Sequence, residues 1–78
     1  MHEKTLLVHL PEKKKAKIIE IHGGHHMYHR LNVMGLREGQ IIEVVSKQPF
    51  MGPLTITTGK NKMTIGRGMA HKIFVEVL

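Results

Sequence analysis

The chain has no cysteine, no aspartate and no tryptophan, and only one serine, one tyrosine and two phenylalanines. Each absence removes a class of function. Without cysteine there is neither a disulfide nor a thiolate metal site; that composition fits the cytoplasm, although exported proteins share it. Without aspartate, and with Ser46 sitting in a strand-like run, neither a Ser/His/Asp nor a Cys/His arrangement can be built within one chain. The six glutamates are scattered, with no paired-carboxylate pattern. Gly23-Gly24 and Gly66-Arg67-Gly68 are too short to cradle a phosphate, and no Walker or dinucleotide fingerprint occurs. The expectation is a protein that is not an enzyme, with no small-molecule substrate and no required cofactor. Long apolar runs are missing too. Nothing approaches the ~20 residues that span a bilayer, and Leu6 to Val8 is too short for a signal-peptide core. The reading is a soluble, cytoplasmic protein.

What is present is basic. Twelve Lys and Arg face six Glu, a net charge of +6 on 78 residues. Such a field favours acidic partners, nucleic acid or an anionic membrane face. Only Lys13, Lys14, Lys15 and Lys17 cluster, so a solvated surface is the stronger reading. The length allows one domain over residues 1–78, burying roughly 60–65% of its unfolded surface.

Apolar periodicity and turn residues order the chain. Thr5 to Val8 reads as a first strand, stopped at Leu10-Pro11 because proline cannot donate to a ladder. Glu12 to Lys15 is a charged connection. Ala16 to Ile21 is a second strand with apolar residues on both faces, one expected toward the barrel and the other under a helix. After Gly23-Gly24, Met27, Leu31 and Met34 recur at helical spacing, so His25 to Met34 reads as a helix. It has no capping side chain at its start and is too short to survive alone. Gly35 sits where a helix end wants a left-handed residue, with Leu36 placed to fold back on the last turn. Gln40 to Ser46 is a third strand. Two prolines and a glycine make Gln48 to Pro53 a loop. Leu54 to Thr58 and Lys62 to Ile65 form a hairpin around Gly59-Lys60-Asn61. Gly66 to Ala70 is an irregular bend with one turn of 3₁₀-helix, and Ile73 to Val77 is the last strand. The fold expected is mainly β: a small SH3-like barrel of five to six strands, with a short helix inserted between strands two and three.

Four of the seven histidines fall in eight residues: His22, His25, His26 and His29. His25 and His29 share a helix face, a spacing that two ligands to a divalent transition metal such as iron or zinc can use. No cysteine or carboxylate completes the set, and a solvated polar face is the stronger reading. Nucleic-acid binding is disfavoured because Tyr28, Phe50 and Phe74 do not form a stacking platform. A groove for proline-rich peptides would need more aromatics. A plain interaction module remains, with Tyr28 and Arg30 on the helix and Phe50 and Met51 in the proline loop as candidate partner contacts. Whether Phe50 and Met51 are exposed or tucked into the barrel end is evenly balanced, and homo-oligomer formation stays open.

The order of these signals resembles the ferrous iron transport protein A (FeoA) family over nearly the whole chain. The resemblance rests on Leu6 and Leu10, on Ala16, Ile18 and Ile21, and on Gly23-Gly24 before a helix. It continues through Arg30, Leu31, Met34, Gly35, Leu36 and Gly39, then Pro49, Gly52 and Pro53, and ends with Ala70, Ile73 and Val75. The segment Arg30 to Gly39 carries most of its weight. Two departures stand beside it: Lys13 to Lys15 replace a usual glycine, and Ile65-Gly66-Arg67 stand where Leu-Arg is frequent. The histidine cluster is not a motif of the family. The resemblance implies an SH3-like barrel with a helical insertion. It also implies an accessory role in ferrous iron uptake, at the cytoplasmic region of the membrane GTPase transporter, ferrous iron transport protein B. The protein would then be peripheral to the inner membrane face through its partner. A similar domain ends metal-dependent repressors, which makes a stand-alone regulator a related reading.

Overall fold

Ala16, Ile18 and Ile21 differ in parity, yet all three are buried. The computed structural model, which describes residues 3–78, shows how. They lie on strand β2, Lys15–Ile21, whose pairing with the final strand β6, Ile73–Val77, slips between Ile18 and Glu20. Ile19 is the extra residue of a β-bulge, which resets the pleat so that Ile21 returns to the core side. The expectation of a two-sided strand is therefore corrected to a one-sided strand with a bulge. The same device recurs on β3, Ile41–Lys47, whose pairing with β4, Leu54–Thr57, slips between Val44 and Ser46. Bulges bend the strands that carry them, and these two curve the sheet around one core.

The sheet has six antiparallel strands in the order β1-β6-β2-β3-β4-β5, where β1 is Lys4–Leu6 and β5 is Lys62–Ile65. The first strand is shorter than Thr5 to Val8. Leu7–His9 form a 3₁₀ turn instead, with the Leu10 N–H donating to the Leu7 carbonyl at 3.1 Å. Leu7, Val8 and Leu10 are all buried, and a strand would have turned alternate members to solvent. Gly66 to Ala70, expected as a bend with a 3₁₀ turn, forms one α-helical turn, α2, Arg67–Ala70, which buries Ala70 completely. This turn follows β5 and touches the 3₁₀ turn that follows β1, so the two edge strands are bridged by helical turns rather than by a ladder.

The long helix α1, Gly24–Met34, starts one residue before the expected His25. Gly23 stands before it with φ of 112°, and a Cβ there would lie 2.8 Å from Met27 Cβ. The helix ends in a Schellman motif: the Gly35 N–H donates to the Asn32 carbonyl at 3.0 Å and the Leu36 N–H to the Leu31 carbonyl at 2.8 Å. Leu31 and Leu36 are both fully buried in the core, and Met27 and Met34 pack against it half-buried. Val33 and the histidines face out. The core proper is Leu, Ile, Val and Ala only, with no buried polar side chain among the described residues.

Candidate functional site

Two exposed surfaces stand at opposite ends of β3, and different parts of the sequence build them. The first lies where α1 returns to the sheet. The Tyr28 hydroxyl donates to Oε2 of Glu38, and the same oxygen accepts the Ile21 N–H at 3.3 Å. Nearby, the Gly39 N–H donates to the Ile18 carbonyl at 2.6 Å. Glu38 thereby ties the helix to the end of β2. The bond to Glu38 raises the Tyr28 pKa first, followed by desolvation and the charges of Glu38 and Glu20. Arg30, two residues on, is exposed.

Beside it runs a polar strip on the outer sheet face. Glu20 accepts from Lys4 Nζ at 3.0 Å and is bonded to His22 Nε2. Register places Phe74 opposite both Leu6 and Glu20. The His22 ring lies 4.7 Å from the Phe74 ring, and the Lys4 ammonium lies 5.0 Å from the Phe74 centroid. His22, then Lys4, hold the Glu20 carboxyl below its ordinary pKa. A carboxylate with a lowered folded-state pKa stabilises the fold above its unfolded value, and that contribution is lost as pH falls through the folded value. Glu20→Gln should therefore flatten the acid side of the melting-temperature-against-pH curve below the ordinary carboxylate range, with a small effect because the pair is exposed. Thermal melts across that range check it, and an unchanged acid limb counts against the coupling.

The four clustered histidines separate. His22 is engaged by Glu20 and Phe74, while His25, His26 and His29 lie exposed along α1. Among the described residues, no group of three His, Asp or Glu side chains is arranged to hold a metal ion. A depression of about 160 Å³ between β2, β3 and β4, lined by Lys15, Ile41, Glu43, Thr57 and Gly59 among others, contains none of the candidate metal or partner residues.

The second surface is the β3–β4 connection. The Gly52 N–H donates to the Pro49 carbonyl at 3.2 Å and the Gln48 N–H to the Pro53 carbonyl at 3.0 Å. Between the first pair, Phe50 has φ of 58° and Met51 φ of 61°. Both central residues are left-handed, the pattern of a type I′ turn that favours Asn-Gly. Each costs roughly 1–2 kcal/mol in a residue bearing a Cβ. Phe50 is 98% exposed and Met51 77% exposed. Arg67 steadies the loop from α2, its Nε donating to the Gly52 carbonyl at 3.2 Å. Of the alternatives left open for this loop, the exposed one is realised.

The candidate contacts Tyr28, Arg30, Phe50 and Met51 all lie at the surface, and sequence reasoning did not single out Glu38, Glu20 or Arg67, which position them or their surroundings. Apart from His22, two residues from Glu20, the partners of these three are ten to seventeen residues away, at distances that no local pattern reports.

An antiparallel SH3-like sheet with one helix between its second and third strands is a fold found in FeoA proteins and in part of a metal-dependent transcriptional repressor. Within it, residues 5–77 match the FeoA domain, and the chain belongs to the FeoA family. A crystal structure of an iron uptake regulatory protein (FeoA) is 33% identical, with a TM-score of 0.90 over 97% of this chain and 100% of that one. A FeoA-like protein from Clostridium acetobutylicum is 26% identical, with a TM-score of 0.87 over 100% of this chain and 91% of that one. A manganese-dependent transcriptional repressor shares the fold at 15% identity and a TM-score of 0.88, but this chain spans only 44% of its length. A search of curated protein sequences returned no match.

Proposed function

We propose that this protein is a non-enzymatic accessory of ferrous iron uptake that docks on the cytoplasmic region of ferrous iron transport protein B and adjusts its GTPase-coupled transport. The observation that carries the reading is the end-to-end match, at 33% identity, to a protein described as an iron uptake regulator. Docking is assigned to the outer face of α1. Tyr28 is half a hydrogen-bond network and half exposed ring, and Arg30 is free to reach outward. Tyr and Arg are the residues that most often dominate contact energies. No helix of the described residues is long and apolar enough to cross a membrane, so in this reading the transporter supplies the spanning part.

The test is a pull-down on the transporter's cytoplasmic part, with and without guanine nucleotide. Association is expected in at least one nucleotide state, weakened about 30-fold by Tyr28→Ala with Arg30→Ala if both act as anchors. Absence of association in every state overturns the proposal.

A further inference from the structure

We infer that the Phe50-Met51 tip is an intrinsic attachment point for an anionic membrane surface, acting without the transporter. Four observations converge on it.

The tip is apolar and bare. Pro49, Phe50, Met51 and Pro53 are all exposed, and Phe50 touches almost nothing of its own chain. The tip is also held in shape. Two hydrogen bonds close the loop, and Arg67 braces it from α2. Its backbone is strained, with non-glycine residues at both left-handed positions; a turn selected only to reverse the chain would carry Asn-Gly.

The base of the tip is basic. Lys47 precedes the loop, its half-buried ammonium donating to the Val8 carbonyl at 3.0 Å, and Arg67 lies against it. The segment after Pro11 runs along β3 toward the same end: the Lys13 N–H donates to the Val44 carbonyl at 2.6 Å, and Glu12 Oε2 accepts the Lys47 N–H at 2.7 Å. Exposed Lys13 and Lys14 are thus level with Val44 in the middle of β3, and Glu12, which keeps its charge while accepting the Lys47 N–H, is the one acid nearer the loop. Of the lysine cluster, whose sequence reading was a solvated surface, Lys15 pairs with Glu43 and Lys17 with Ile41 toward the α1 end of β3, so Lys13 and Lys14 are the members nearer the apolar tip.

A convex apolar wedge with cations behind its base fits a bilayer better than a protein groove. A protein interface of ordinary size needs about 800 Å² per partner around an apolar centre, and this end of the molecule offers two side chains and two prolines. Membrane attachment needs only a short apolar insertion and cations near the headgroups, two weak signals that combine. Each Lys or Arg close to an anionic surface strengthens binding about fivefold. The tip also lies at the far end of β3 from α1. Seven strand residues separate the two surfaces by about 20 Å, so a lipid-bound tip leaves Tyr28 and Arg30 open to a partner.

The experiment is co-sedimentation of the purified protein with vesicles of three parts phosphatidylcholine to one part phosphatidylserine, with no transporter present. Binding is expected to fall about tenfold or more in Phe50→Ser/Met51→Ser, and severalfold in Lys13→Glu/Lys14→Glu. It should also be lost near 1 M salt, where charges are screened within about 3 Å, and be weak on phosphatidylcholine alone. Both sets of substitutions are on exposed positions, and matching melting curves show that the fold is kept. Equal sedimentation of wild type and Phe50→Ser/Met51→Ser overturns the inference. So does wild-type protein that ignores the anionic vesicles. A tip variant that loses transporter association while wild type never binds vesicles would assign the tip to a protein contact instead. Because the vesicle assay contains no transporter, its failure leaves the docking proposal standing, and the reverse also holds.

Discussion

Phe50→Asn with Met51→Gly should raise the melting temperature by about 5–15 °C. The gain comes from the backbone. Both residues sit at φ near 60°, where a side chain with a Cβ costs roughly 1–2 kcal/mol. Asparagine tolerates that region through local hydrogen bonding, and glycine adopts it freely. Glycine returns about 0.5–1 kcal/mol of this by loosening the unfolded chain. Asparagine keeps its Cβ and recovers only part of the cost at its position, so the net gain is about 1–2 kcal/mol, and a domain of this size moves about 4–8 °C per kcal/mol. Nothing offsets it on the packing side, because Phe50 is 98% exposed and Met51 77% exposed. Thermal denaturation of the double variant decides the matter. An unchanged or lower melting temperature would mean that the turn is relaxed as it stands. A more stable variant that no longer binds anionic vesicles would show the trade of stability for function that strained sites display.

Much of the fold could be read from residue spacing, and the places where reading failed share a cause. The helix was legible because Met27, Leu31 and Met34 repeat at its period and Gly35 marks its end. The hairpin was legible from Gly59-Lys60-Asn61 between two β-branched runs. The bulge at Ile19 was not, since a two-sided apolar strand and a one-sided strand with an extra residue have the same pattern. Only the pairing of Ile18 with Val75 and Glu20 with Phe74 separates them. Leu7 and Val8 misled in the same way: an apolar run of three, Leu6 to Val8, fits a buried strand or a tight helical turn equally well. At the surfaces, Tyr28 and the Phe50-Met51 pair stood out because aromatic and apolar residues are scarce in polar segments. Glu38 did not, because a glutamate before a glycine carries no signal until the helix brings Tyr28 onto it. The histidines were the reverse case. Their density in sequence raised a metal site beside the stronger reading of a solvated face; His25, His26 and His29 lie exposed on α1 as that spacing placed them, while the contact of His22 with Glu20 and Phe74 had no signal.

Leu36→Ala should cost about 2–5 kcal/mol, a large share of the roughly 4–12 kcal/mol expected for a domain of this size. Leu36 is fully buried, and its N–H closes the helix on the Leu31 carbonyl at 2.8 Å. One residue thus fills the core and sets the exit angle of α1, so its loss leaves a cavity and loosens the turn together. Val33→Ala is the control, three residues earlier in the last turn of α1 but 73% exposed, and should stay within about 0.5 kcal/mol. Urea unfolding of the two variants measures both. A Leu36→Ala cost near that of Val33→Ala would show that the helix is not anchored here. The expected loss reaches the function as well. Leu36 lies two residues before Glu38, whose carboxylate holds Tyr28 and the end of β2 together. Loosening that turn releases Tyr28 from its position on the proposed docking face. Leu36→Ala should therefore weaken transporter association even at temperatures where the protein remains folded, while vesicle binding through the distant Phe50-Met51 tip is kept. Parallel loss of both activities would mean that the two surfaces are one cooperative unit rather than separate ends of β3.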